Sequence, residues 1–326
     1  MTLCDQIEQQ TEASLSAHTT LVENLLATLT NSANAEELKQ NWQRIASHFT
    51  TLFTTEASID QLKQTILQLA VMGKLVPQDP NDELAATLLE RIAAEKARLV
   101  KEGKIKKQNP LPPIAEDEKP FELPVGWEWC RLEELTQIIT KGSSPKWQGV
   151  SYTENPSDVL FVTSENVGAF ELMLDKKKYV EQKFNEVEPR SILANGDFLM
   201  NIVGASIGRT AIYDIDDLAN INQAVCLIRI FKNLLCSSFF LQFFNSSICI
   251  GYMFDKQVDN ARANLSMGNI AKFLIPVPPT AEQHRIVTKV NQLTTLCDQI
   301  KTHLQHQQQT RLHLADTLVE QAVSNR

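Results

Sequence analysis

The segment Thr2-Leu3-Cys4-Asp5-Gln6-Ile7 recurs unchanged as Thr295-Leu296-Cys297-Asp298-Gln299-Ile300, near the other end of the chain. At the same offset Leu21 falls on Leu314 and Leu25 on Leu318, so the two copies share one register. In the second copy Ile286, Val290, Leu293, Cys297, Ile300 and Leu304 alternate steps of four and three, the stripe of a helix that packs lengthwise along another helix. A long helix is therefore expected at each end, and Cys4, Ile7, Leu21 and Leu25 join the second-copy stripe, Leu314 and Leu318 as candidate helix-pairing positions. A weaker echo sets Leu62, Thr65, Ile66, Leu67, Ala70 and Val71 against Leu314, Thr317, Leu318, Val319, Ala322 and Val323. Repeats that cannot bury an apolar face alone need stacking partners, here the other copy or a second chain. The second copy opens with Pro276-Val277-Pro278-Pro279-Thr280-Ala281-Glu282-Gln283-His284-Arg285-Ile286-Val287, which nothing before Met1 answers, so the chain reads as starting inside a repeat.

With 326 residues, 43% of them apolar, the chain can bury a substantial core in one large or two modest domains. No run approaches the roughly 20 apolar residues of a membrane span, and the N-terminus lacks a basic region followed by an apolar one, so a cytoplasmic location is expected. Six cysteines (Cys4, Cys130, Cys226, Cys236, Cys249, Cys297) form no C-x-x-C pair and several sit in apolar runs, which reads as buried, reduced thiols. The net charge of −8 argues against a uniformly basic nucleic-acid binder. Any such role needs lysines and arginines gathered on one face, with help from partners.

Apolar spacing predicts a helix from Glu36 to Phe53 and another opened by Ser58 with Gln61 and ending near Gly73. A further helix is expected from Asn81 or Asp82 to about Val100. Lys101 to Pro124 then turns polar and proline-rich. Beyond Leu123 short apolar segments broken by turns predict strands at Asp158–Thr163, Lys177–Val180, Asp197–Val203, Thr210–Tyr213 and Ala224–Phe231, with a buried helix over Phe239–Phe254. The expected organisation is a helical spacer and dimerisation region over 1–100, a linker over 101–122, a mixed α/β domain over 123–275, and a C-terminal spacer helix over 276–326. The fold class is α+β, with long coiled-coil helices at both ends. The helix from Ala281 to Val323 would be about 65 Å long at roughly 1.5 Å per residue.

Enzyme motifs are thin. Gly204-Ala205-Ser206-Ile207-Gly208-Arg209-Thr210 is one residue short of a phosphate-binding loop and carries Arg where Lys is required, so it reads as a turn presenting a hydroxyl and a cation, or as a purely structural turn. No glycine-rich methyltransferase loop or Asn-Pro-Pro-aromatic motif is present, and Asp117-Glu118-Lys119 lacks the upstream Pro-Asp of a nuclease. All six histidines (His18, His48, His284, His303, His306, His313) lie outside 49–283, leaving the α/β domain without imidazole for acid-base or metal chemistry. No catalytic or metal site is expected.

Polar clusters suited to reading bases fall in the expected loops: Lys141, Ser143, Ser144 and Lys146; Ser164 and Asn166; Ser206 and Arg209; Asn222 and Gln223; Asn260, Arg262 and Asn264. Asn, Gln and Arg make bidentate contacts to base edges, while Ser, Lys and backbone amides hold phosphates. The same residue types populate turns for local backbone reasons, so each cluster alone has a structural reading as well. Lys176-Lys177-Lys178 is the candidate phosphate contact, with a solvated face as its alternative.

The run Leu123-Pro124-Val125-Gly126-Trp127-Glu128-Trp129, then Asn195-Gly196-Asp197-Phe198-Leu199 with Gly204 to Arg209, then Asn222-Gln223-Ala224-Val225, closes with Ile275-Pro276-Val277-Pro278-Pro279 and Glu282 to Val287. In that order it resembles the specificity subunit of type I restriction-modification systems over nearly the whole chain, and Met72-Gly73-Lys74-Leu75 resembles the segment that follows a spacer helix in that family. The resemblance implies a target-recognition domain held between helices that act as a ruler. Typical members carry two such domains. This chain has one, with two spacer-helix copies, and so resembles a half subunit.

The resemblance further implies a non-catalytic reader of double-stranded DNA. It would direct modification (methyltransferase) subunits, which use S-adenosylmethionine, and an ATP-using restriction subunit to a bipartite target, pairing as a homodimer on an interrupted palindrome. No cofactor of its own is expected. The alternatives are a fragment of a two-domain subunit that needs a different half, or a coiled-coil assembly scaffold without DNA readout.

Overall fold

The computed structural model describes residues 3–255 and 265–324. In chain order the elements are α1 (Leu3–Thr30), α2 (Ala35–Ser47), the single turn α3 (Phe49–Leu52), α4 (Glu56–Val71) and α5 (Ala85–Lys101). There follow β1 (Glu128–Arg131), β2 (Thr136–Lys141), β3 (Tyr152–Thr153), β4 (Val159–Val162), β5 (Tyr179–Val180), α6 (Lys183–Val187), β6 (Asp197–Asn201), β7 (Thr210–Tyr213), β8 (Ala219–Ile221) and β9 (Val225–Ile230). The chain closes with α7 (Ser237–Phe244), α8 (Ser247–Asp255), α9 (Met267–Ala271), β10 (Leu274–Val277) and α10 (Thr280–Ser324). No helix among the described residues is long and apolar enough to cross a membrane. Two compact units result: residues 1–70 with 288–326, and residues 71–287.

The first unit is helical. Val22, Leu26 and Leu29 of α1 and Ile59, Leu62, Ile66 and Leu69 of α4 are buried at helical spacing. Antiparallel to α4 runs the α10 segment that carries the second repeat copy, pinned by Lys63 Nζ to Asp298 (2.7 Å) and by Lys301 Nζ to Asp60 (2.8 Å) and Glu56 (3.5 Å). Within the unit Val290 and Cys297 are buried and Leu293, Ile300 and Leu304 half-buried. The first copy has a different environment: Cys4, Ile7 and Leu21 are exposed and Leu25 half-buried, as are Leu314 and Leu318 exposed near the end of α10. The stripe that faces the interior of α1 is thus one residue later than the repeat marks, at Val22 and Leu26. Cys4 also departs from the expectation of a buried thiol.

Helix starts shift where side chains find other partners. α4 begins at Glu56, two residues before the expected Ser58, because Thr55 caps it: Ser58 N donates to Thr55 Oγ1 (3.1 Å) and Thr55 N to Ser58 Oγ (3.2 Å), a reciprocal pair. α5 starts at Ala85 instead of Asn81 or Asp82, since the Asp82 carboxylate is taken by Arg285 (2.5 and 3.2 Å).

The ten strands among the described residues lie in the second unit, and α5 belongs with them. β1 and β10 pair antiparallel, Cys130 opposite Ile275, so the strands that open and close the strand-bearing segment lie side by side. A four-stranded antiparallel sheet runs β2-β9-β6-β7, and a mixed one runs β3-β5-β4-β8 with β4 and β8 parallel. β4 is buried on both faces, which explains its all-apolar sequence. Leu160 and Val162 join the core that includes Leu199, Ala211, Tyr213, Ile221 and Leu227, while Val159 and Phe161 pack with Val150, Val180 and Phe184 on the other side.

The expected helix over Phe239–Phe254 is broken into α7 and α8. Asn245 forms the break by clasping Thr210 of β7, accepting from Thr210 N (3.2 Å) and donating to Thr210 O (2.9 Å), which a continuous helix would not permit. The 101–122 segment is irregular apart from one turn at Glu116–Glu118, yet it is tied down. Buried Arg131 donates to Glu118 (2.9 and 3.1 Å), to Pro112 O (3.1 Å) and to Lys272 O (3.2 Å).

Candidate nucleic-acid interface

Strand register brings the polar loops together. Val162 of β4 lies opposite Ile221 of β8 in parallel pairing, so the loops that follow, Thr163–Asn166 and Asn222–Gln223, leave the sheet at the same end. In the other sheet Lys141 faces Cys226 and Asn201 faces Val225, placing the ends of β2 and β6 beside the start of β9, directly after Gln223. Gly142 seals the junction: its backbone lies flat on β8, where a Cβ would overlap the Ile221 carbonyl and stand 2.7 Å from Asn222 O. Asn201 Nδ2 crosses to Ser164 O (3.0 Å) and Val167 O (3.1 Å). Segments 141–148, 163–167, 201–209 and 220–224 therefore share one edge of this unit.

At that edge Lys141, Lys146 and Arg209 are exposed, and Ser143, Ser144, Ser164, Ser206, Asn222 and Gln223 are half-buried. Among the described residues Lys141, Lys146 and Arg209 have no ion pair, and the Gln223 amide has no hydrogen-bond partner. Asn222 Oδ1 accepts from Ala224 N (3.0 Å) and shapes its own turn, while Ser143 accepts from Gln148 (2.9 Å). The turn 204–209 closes with Gly204 and Gly208 at φ +76 and +89, a tight hairpin connection rather than a phosphate cradle.

Asn166 reaches the right edge but is not open to a base. It is buried, accepts from Thr163 N and Oγ1 (3.0 and 3.1 Å) and donates to Met173 O and Lys176 O (3.0 and 3.2 Å), which uses its amide fully. Asn220 is a second internal clamp, tied to Asn185 and to Glu188 O. The lysine run begins against this loop: Lys178 pairs with Glu165 (2.9 Å) and Lys177 with Asp217 (3.5 Å), exposed pairs that cost little to open. Lys176 has no ion pair among the described residues. Asn260, Arg262 and Asn264 lie outside the described residues. Sequence reasoning passed over Trp147, which is 74% exposed beside Lys146 and offers a flat apolar face at this edge. Its signal was available, a tryptophan inside a Pro-Lys-Trp-Gln turn.

Part of the run that carries the family resemblance, Trp127 with Glu282 and Gln283, forms a buried hydrogen-bond hub away from these loops. Glu282 accepts from Trp127 Nε1 (3.0 Å) and Gln78 Nε2 (3.1 Å). Gln283 accepts from Cys236 N (2.9 Å) and donates to Pro278 O (2.9 Å). Burial pushes the Glu282 carboxyl above the ordinary range, opposed by its two donors and by Arg285. The hub fixes the first turns of α10 to the Trp127 segment and to the Gln78 segment beyond α4.

Burial raises the thiols of Cys130, Cys226 and Cys249, which suits packing rather than nucleophilic chemistry. Among the described residues no group of three His, Cys, Asp or Glu side chains is placed to hold a metal ion.

A family model described as type I restriction modification DNA specificity domain matches residues 124–308. The chain is 43% identical over 336 aligned residues to the type I restriction enzyme EcoEI specificity subunit of Escherichia coli and 42% identical over 345 to the EcoAI specificity subunit of the same organism. Each alignment covers 99% of this chain and 55% of the relative, so the chain spans about half the length of these proteins. A solved chain from work on assembly and conformational transition of the type I R-M system shares the fold at TM-score 0.50 and 17% identity, over 82% of this chain and 57% of that one. With more than half of its residues matched by one model, and 99% of it aligned to each of two specificity subunits, the chain belongs to the type I restriction modification DNA specificity domain family.

Proposed function

We propose that this chain is the DNA-reading part of a type I restriction-modification specificity subunit, without catalysis of its own. It would place modification and restriction subunits, which supply S-adenosylmethionine and ATP chemistry, on a bipartite target. The observation that carries this reading is the convergence of four polar loops on one edge, with Lys141, Lys146, Arg209 and Gln223 unpaired there among the described residues. Lysines and arginine suit phosphates, and Gln223 can present a donor and an acceptor to an adenine edge.

The expected test separates these roles. In the complex reconstituted on a target found by selection from random duplexes, Gln223→Ala should lose about 1–3 kcal/mol on the selected site and little on random DNA. Replacing Lys176, Lys177 and Lys178 by alanine should weaken both alike and flatten the salt dependence. Anisotropy titrations with both duplexes read the difference, and equal losses for Gln223→Ala would remove it from base readout.

The helical unit is proposed to pair two copies of the chain, and its repeats support a specific register. Within one chain α4, which carries the Leu62–Val71 stretch, accompanies the copy at 295–300 through Glu56, Asp60 and Lys63. The echo of that stretch, Leu314 to Val323, is exposed, and so are Cys4 and Ile7 of the copy it would accompany. A second chain offering its 314–323 stripe to α1 would satisfy both faces, twice over, by two-fold symmetry. Light scattering should give twice the 36.7 kDa of one chain, and Leu314→Asp with Leu318→Asp should return it to the single mass. A single mass for the unaltered chain would favour pairing with a different half.

A further inference from the structure

Beside the loop edge, the 104–108 segment, β2 and Arg190 enclose a groove of about 360 Å³. Four cations line it (Lys104, Lys106, Arg190 and Arg229) and no carboxylate does. Two of them already have partners: Lys104 pairs with Glu102 (2.8 Å), and Arg229 binds Asp197 through two contacts of 2.7 Å. Lys106 and Arg190 are exposed and have no ion pair among the described residues. The remaining wall is polar as well as apolar, with Gln137 and Thr140 of β2 presented along an edge strand.

The groove adjoins the reading edge along β2. Thr140 on its wall precedes Lys141, and Gln148 of the 141–148 loop donates to Glu188 (2.7 Å), two residues before Arg190. A duplex held at the loop edge has a charged backbone running on from the bases read, and Arg190 and Lys106 in the adjoining groove are cations it can meet. We propose that this groove takes the DNA sugar-phosphate backbone flanking the read bases, so that the segment between α5 and β1 acts as a phosphate clamp and not only as a connector. The proposal rests on the DNA-reading function given above. Charge complementarity selects the ligand class: an apolar peptide would leave two cations desolvated, whereas each phosphate bound releases a counterion.

The experiment is a salt series of anisotropy titrations on the full chain with a fluorescent random-sequence duplex, starting at low salt. Lys106→Ala with Arg190→Ala should weaken binding roughly tenfold and lower the slope of log affinity against log salt by about two, one for each phosphate left without its cation. Lys39→Ala, on α2 of the other unit, should change neither by more than the removal of one remote charge. Both replaced side chains are exposed, and retention of the thermal transition checks the fold. An unchanged slope and affinity in the double variant would overturn the groove while leaving the loop edge intact. Absence of any duplex binding by the unaltered chain, even at low salt, would overturn the DNA-reading function and the groove with it.

Discussion

Gly142→Ala is expected to destabilise the strand-bearing unit by about 3 kcal/mol and to abolish discrimination between target and random DNA. The added methyl would overlap the Ile221 carbonyl and crowd Asn222 O, both backbone atoms of β8 and its following residue, so no side-chain rotation relieves it. Either β2 or β8 must move, and each is held by its own register: Lys141 to Cys226 on one side, Val162 to Ile221 on the other. The displacement falls where the 141–148 loop meets Gln223, the residue proposed to read a base. Thermal unfolding should therefore show a lower transition, and titrations should show affinity for the selected site falling to that for random duplex. Full selectivity in Gly142→Ala would mean that the two loops read independently.

The parts of this architecture that were legible in the sequence are those where one physical requirement dominates. Val159 to Val162 must be a strand because it is buried on both faces, and Thr210 to Tyr213 is bounded by the very turns that the sequence marks. The long C-terminal helix announces itself by its stripe, since nothing but helix pairing needs alternating steps of four and three. What the sequence hides is choice among equal partners. Asn166 and Gln223 are both polar loop residues on one edge, yet one amide is consumed by Thr163, Met173 and Lys176 while the other has no partner among the described residues, a distinction made by tertiary contacts alone. Asn245 likewise ends α7 because Thr210, far away in the chain, occupies it. The short β1 and β10 were missed because each is only four residues and β10 contains Pro276, so their strand character comes from pairing with each other. Gly142 gave no local signal either, for its need is the flat approach of another strand.

Glu282→Ala is expected to lower stability by a comparable amount, about 3 kcal/mol, through a different mechanism. Glu282 is 1% exposed, and its loss strands the Trp127 indole N–H and weakens the Gln78 amide contact in an interior that water does not reach. Gln78 retains Gly73 O (2.8 Å), so the indole bears most of the penalty. The pH dependence gives a sharper check. Burial raises the Glu282 carboxyl in the folded chain above its ordinary 4.5, which means the fold favours the protonated form. The stabilising contribution of this group is therefore complete below pH 4.5 and declines as pH rises through the folded value. Glu282→Gln has no such titration. Melting curves of the two proteins from about pH 4 to about pH 7 should show the difference moving in favour of the glutamine variant as pH increases. A difference that moves the other way would mean that the donors Trp127 and Gln78 outweigh burial and hold Glu282 ionised, and a flat one that donors and burial cancel.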